Sequence, residues 1–205
     1  MTTQHENIVD PYIHEVKGAA AASADQILVA NGAGSASFTA PAVVAAILGP
    51  LVDITGQFPY GGLYFTTPSV TTISASGTYY KAAGATTVTN ARQFDMPANN
   101  RLRYLGTTAR HFHIVLQCSI TFDAGANQIA GIQLWKYDDS AGSGSLVAHS
   151  EAKSIVASTD IAQITSHADA MLDENDYIEI HVANHDNTND IQVDLGYMFL
   201  VGMPT

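Results

Sequence analysis

The sequence predicts an all-β protein, an antiparallel sandwich or barrel, with an extended N-terminal arm and one short apolar helix ahead of it. Three observations carry this. Short runs rich in Thr, Val, Ile, Tyr and Phe recur from Leu63 onward, separated by Gly, Asn and Asp turns. In the longest runs apolar and polar residues alternate with period two, the mark of a strand with one buried face. Charged residues make up only 13% of the 205-residue chain, which suits strands and small-residue loops and not surface helices.

The elements follow in order. Met1 to Asp10 is polar and aperiodic, as expected of a chain terminus. Residues 10 to 38 contain too few large apolar residues to bury a core of their own. They are expected to act as an arm that orders against another surface. Within the arm, Gln26 to Ala30 can form one short strand, ended by a turn at Asn31-Gly32. Ala40 to Leu51 is the helix candidate. Thr39 can cap it, Pro41 suits its first position, and Gly49-Pro50 ends it. Being almost wholly apolar, it must pack against the main body or a neighbouring subunit. Val52 to Gly62 reads as a linker, so the expected units are 1–38, 39–62 and 63–205.

Strands are predicted near residues 63–73, 78–81, 86–89, 101–106, 110–122, 128–137, 146–156, 160–167, 176–182 and 191–202. Phe112, Ile114, Leu116, Cys118, Ile120 and Phe122 share one face of the longest. Ile132 and Leu134 share a face of the next, with Gln133, Trp135 and Tyr137 on the other. Near the C-terminus, Ile178, Ile180 and Val182 alternate with Tyr177, Glu179 and His181. Ile191, Val193 and Leu195 alternate with Gln192, Asp194 and Gly196. An Asn/Asp-rich turn lies between, and the two runs read as an antiparallel pair closing a sheet.

Composition narrows the function. A net charge of −11 argues against electrostatic binding of nucleic acid or of anionic membrane surfaces. No segment has the ~18 apolar residues of a membrane helix, and Met1 to Glu6 lacks the start of a secretory signal. The single cysteine, Cys118, is in phase with the apolar face and reads as a buried inert thiol. Gly32-Ala33-Gly34 is not a nucleotide-binding turn, because the third glycine is missing at Ser37 and no long helix follows. There is no Gly-x-Ser-x-Gly elbow, no His-Glu-x-x-His and no phosphate loop, so an enzyme is not expected. The clusters Asp138-Asp139, Asp173-Glu174-Asp176 and Asp186 to Asp190 offer calcium-type oxygens. None matches a twelve-residue calcium loop, and ordinary acidic turns are the preferred reading. His181 and His185 flank a turn and are read as solvated polar residues.

Two resemblances add to this. Leu172, a run of acidic and turn residues, then Asp176-Tyr177-Ile178-Glu179-Ile180 resembles the penultimate strand of C1q/TNF-like jelly rolls. The order of strands from Phe94 to Met203 resembles the same family. The resemblance implies an antiparallel jelly-roll sandwich that trimerises about a three-fold axis. It makes His111, His113, Gln117, Trp135, Tyr137, Tyr197 and Phe199 the candidate trimer-interface residues. Trp135 and Tyr137 could also meet a glycan or lie under the helix. Three imidazoles at an axis could hold a metal, but an ordinary polar interface is preferred, so no metal and no cofactor is expected.

The second resemblance covers Pro11 to Phe38. Pro-x-Ile-His-Glu-x-Lys-Gly, a small-residue spacer, apolar residues and then Ala-Asn-Gly-x-Gly-Ser is similar to the N-terminal segment of tailed-phage virion proteins. It implies a capsid-binding arm whose contacts come from Pro11, Tyr12, Ile13, His14, Glu15, Lys17, Ile27, Leu28, Val29 and Phe38. Together the two resemblances imply a decoration, or cement, protein on the outer surface of the virion. It would be a homotrimer bound to the major capsid protein. The alternative is the receptor-binding or glycan-binding knob of a short fibre, with a host glycan as partner.

Overall fold

The computed structural model describes residues 58–157 and 160–203, together with the backbone of residues 27–30 and 36–39. The chain divides into two compact units, Met1–Gln57 and Phe58–Thr205. In the first, β1 (Ile27–Ala30) pairs antiparallel with β2 (Ala36–Thr39), with Leu28 opposite Phe38. Thr39, expected as a helix cap, is paired with Ile27, so the single predicted strand is half of a hairpin. Pro11, Tyr12, Ile13, His14, Glu15 and Lys17, and the helix expected over 40–51, lie outside the described residues.

The second unit is an antiparallel two-sheet sandwich. Its strands are β3 (Tyr60–Pro68), β4 (Val70–Thr71), β5 (Tyr80–Lys81), β6 (Gly84–Arg92), β7 (Phe94–Ala98), β8 (Arg101–Tyr104), β9 (Arg110–Phe122), β10 (Gln128–Asp138), β11 (Ser143–Leu146), β12 (Ala152–Val156), β13 (Ala162–Leu172), β14 (Tyr177–Asn184) and β15 (Ile191–Gly202). One sheet runs β13-β9-β15-β3-β6, with β4 also on β15; the other runs β11-β10-β14-β8-β7, with β12 also on β10 and β5 on β14. Between them lies one core, which includes Leu63, Phe112, Ile114, Leu116, Ile132, Leu134, Ile178, Ile180 and Leu200. At one end Phe94, Tyr104 and Phe112 close the sandwich as a ring cluster, with centroids 5.0 to 5.3 Å apart.

The structure corrects the sequence reading in five places. β14 and β15 are not paired with each other and lie in different sheets. Both edges of β14 are taken, by β10 on one side and by β5 and β8 on the other. The chain must therefore cross the sandwich after Asn184. The Asn184 side chain fixes that crossing: its Oδ1 accepts the amides of Asp186 and Asn187, and its Nδ2 donates to Gln128, Asn187 and Asn189. The run 146–156 is two strands separated by a turn, and β7 is a strand the sequence reading lacked.

The other two corrections concern glycine and phase. Gly61 and Gly62, expected in a linker, belong to β3. A Cβ on Gly61 would sit 2.8 Å from the Phe94 side chain, and one on Gly62 would meet Thr89 and Phe199 at 3.0 and 3.3 Å. Glycine here admits close packing instead of marking a loop. In β15 a bulge between Val193 and Leu195 reverses the phase. Leu195 therefore turns outward, 68% exposed, and Gly196 turns inward beneath Phe65, where a Cβ would lie 2.6 Å from the ring.

Candidate functional site

The sandwich has two outer faces, and the seven interface candidates divide between them. His111, His113, Gln117, Tyr197 and Phe199 lie on the outer face of the six-stranded sheet. Trp135 and Tyr137 lie on the outer face of the other sheet. One contact around a single axis cannot use both groups in the same way.

The six-stranded face is apolar and open. Register places Tyr197 between Gln117 and Tyr64, Phe199 between Val115 and Gly62, and Val201 between His113 and Tyr60. Tyr197 and Phe199 stack with centroids 6.4 Å apart and planes 10° off parallel, and Tyr60 lies 6.4 Å from Phe199. Tyr64 and Tyr197 are each 41% exposed, Leu195 and Val201 are exposed along the same strand as Tyr197, and Met171 is exposed on β13 opposite His111. Tyr64, Gln117, Leu195 and Tyr197 line a shallow depression at the centre. On β13 the alternation is clean, so Thr165, His167, Asp169 and Met171 point outward along one edge. His113 Nδ1 lies 2.8 Å from Asp169 Oδ1, and His113 Nε2 lies 3.5 Å from His167 Nδ1.

The seven-stranded face is tied up in its own interactions. Glu179 is buried on this outward side, its side chain only 7% exposed, and it binds Lys81 at 2.7 Å, Arg101 at 2.9 Å and His181 at 3.3 Å. Burial alone would raise its pKa; hydrogen bonds from His181 and Lys81, the Lys81 charge and a hydrogen bond from Arg101 outweigh it and hold the carboxyl at about 2. Trp135 stacks on His181 at 5.0 Å with planes 6° apart. Tyr137 stacks on Tyr177 at 4.7 Å, and the Arg101 guanidinium covers the Tyr177 ring at 3.9 Å. Next to this column Pro97, Arg103, Asp139 and Asn175 line a polar depression. His181 is thus buried and engaged, contrary to the expectation of a solvated residue. His185 is also largely buried, edge-on to Tyr79, and burial, then the Lys153 charge, lower its pKa.

The acidic turns are structural clamps. Asp176 accepts the amides of Asp139 and Asp173 and pairs with Lys136 at 2.8 Å. Asp138 accepts from Ser140 and Ala141, and Asp186 and Asp190 accept the amides of Ile129 and Ile73. Among the described residues no group of three or more His, Cys, Asp or Glu side chains is poised to hold a metal ion. Cys118 is buried, which pushes its thiol up to about 12 and leaves it unreactive at neutral pH.

No family profile matches this chain, and no curated protein is measurably similar to it in sequence. Solved structures do match. Eiger TNF from S. frugiperda aligns with a TM-score of 0.51 over 72% of this chain and 94% of its own, at 9% identity. Murine APRIL aligns at 0.48 over 69% and 98%, at 10% identity. The globular domain of zebrafish complement 1qA aligns at 0.44 over 73% and 98%, at 8% identity. The fold is therefore the TNF/C1q-type jelly roll.

Proposed function

We propose that this chain is a tailed-phage capsid decoration protein that works as a homotrimer on the outer surface of the virion. The jelly roll self-associates through the outer face of its six-stranded sheet. The N-terminal segment, similar in residue order to virion attachment segments, binds the major capsid protein. The observation that carries the self-association is the strip Tyr60, Tyr64, Leu195, Tyr197, Phe199 and Val201. It is aromatic and aliphatic, continuous across two neighbouring strands, and outside a core that is already closed.

The mechanism is physical, and no catalytic step is involved. Three arms joined to one knob make the second and third contacts intramolecular, so avidity exceeds the affinity of a single arm. A trimer that binds the assembled shell but not free subunits stabilises the shell by mass action. The test is co-sedimentation with emptied capsids. The full chain should pellet with capsids, and a chain beginning at Phe58 should stay in the supernatant with an unchanged number of subunits. Equal binding by the shortened chain would refute the arm's role.

A second reading is favoured by one feature, the Tyr137–Tyr177–Arg101 column beside a polar depression on the seven-stranded face. Aromatic rings flanked by polar groups suit a host glycan, which would make the knob a receptor binder on a short fibre. Deleting the protein would then abolish adsorption, whereas decoration predicts fragile capsids with adsorption intact.

A further inference from the structure

We propose that His113 and His167 form a chelating pair for a first-row transition-metal ion of the zinc class, with Asp169 as the positioning residue behind His113. The register of β9 against β13 builds the arrangement. Asp169 stands directly opposite His113, and His167 opposite Val115 one step along the same face. All three side chains point out of the six-stranded sheet.

The donor geometry fits a metal better than the alternatives. His113 Nδ1 lies 2.8 Å from Asp169 Oδ1. A carboxylate only accepts, so Nδ1 carries the proton and donates it. That fixes the tautomer and leaves the lone pair on Nε2, the atom that faces His167. A carboxylate held behind an imidazole in this way is the usual support of a metal-bound histidine, fixing the orientation of the ring. His113 Nε2 and His167 Nδ1 are 3.5 Å apart. Two nitrogens on a tetrahedral ion with ~2.05 Å bonds are separated by about 3.4 Å. The same spacing is long for an N–H···N hydrogen bond. The rings lie 5.6 Å apart and are tilted 31° from parallel, so they are not stacked face to face.

One protomer supplies two ligands, which agrees with the absence of any three-ligand group among the described residues. Water fills the remaining positions in an isolated protomer. If this face packs against further copies, as the proposed trimer requires, their side chains can replace the water. That last step alone rests on the trimer reading.

The test uses the tag-free full chain, stripped with a chelator and titrated with zinc chloride by calorimetry, with cobalt(II) absorption as a second probe. Saturable zinc binding is expected, with a tetrahedral cobalt spectrum. His113→Ala and His167→Ala should each weaken binding at least tenfold. Asp169→Asn should weaken it about ten- to a hundredfold, the range for support groups of this kind. His149→Asn, at an exposed histidine elsewhere, should change nothing. No saturable binding, or undiminished binding in a His113→Ala/His167→Ala double variant, overturns the site. Unchanged affinity in Asp169→Asn overturns the positioning role. The apo melting temperature of each variant shows that folding is intact. The oligomeric mass is measured separately: a monomer that still binds zinc leaves the site standing and refutes the trimer.

Discussion

The two outer faces of the jelly roll are made from the same kind of alternating strand and end in opposite states. On the seven-stranded sheet, the outward side chains of β14 and of the facing part of β10 are answered within the protomer. Glu179 is held by Lys81, Arg101 and His181, Trp135 by His181, Tyr137 by Tyr177, and Tyr177 by Arg101. On the six-stranded sheet, Leu195, Tyr197, Tyr64 and Val201 are exposed, with Phe199 stacked on Tyr197. The difference teaches where each kind of change acts. The first face contributes to the stability of the fold, and the second is the surface that the proposed self-association would use.

The largest expected effect on the fold comes from breaking the satisfied face. Glu179→Ala leaves Lys81 and Arg101 facing each other without their shared carboxylate. It should destabilise the protein by about 1–3 kcal/mol, because Lys81 and Arg101 remain about a third exposed to water, measured as a shift in the urea midpoint. A chain as stable as wild type would show that the cluster is decorative.

A smaller effect appears with pH. The folded state lowers the Glu179 pKa from 4.5 to about 2. The carboxylate's contribution is therefore full above about pH 4.5 and is lost as pH falls toward 2. Melting temperature should drop across that window, and Glu179→Gln should remove this part of the drop.

The open face should behave in the reverse way. Leu195→Asp and Tyr197→Asp sit at exposed positions and should change protomer stability by no more than about 0.5 kcal/mol. They should nonetheless lower the oligomeric mass at micromolar concentration. Loss of fold with the mass unchanged would invert the assignment of the two faces. The smallest effect is at Cys118, whose buried thiol should take up no thiol reagent until the protein is unfolded, because opening the core is the only route to it.

Much of the fold was legible in the residues. β9 and β15 were placed at their observed limits, and the inward set from Phe112 to Ile120 is buried as the alternation requires. What period-two reading could not supply is long-range. Nothing local says that β14 and β15 belong to different sheets, because that follows from which neighbours already occupy β14. The bulge that turns Leu195 outward is one residue long and leaves no compositional mark; the nearest hint is Gly196, a residue with no side chain to bury. Gly61 and Gly62 misled because glycine marks both turns and crowded strands.

The candidate site was legible only in part. Alternation set His111, His113 and Gln117 on the face opposite the apolar one; Tyr197 and Phe199 were candidates only through the resemblance, because the phase of Ile191, Val193 and Leu195 carried past the bulge would turn them inward. Trp135 and Tyr137 were grouped with them because exposed aromatics look alike in sequence, although the structure sets them on the opposite face. His167, Asp169, Tyr64 and Leu195 were not singled out. His167 and Asp169 gain meaning only from the register with His113, and Tyr64 only from its pairing with Tyr197.

The mass of the purified protein in solution, by light scattering across a dilution series, tests the central claim most directly. The open six-stranded face predicts a species of three times the 21.7 kDa chain mass, reduced by Tyr197→Asp. A stable species of one chain mass at every concentration would contradict it.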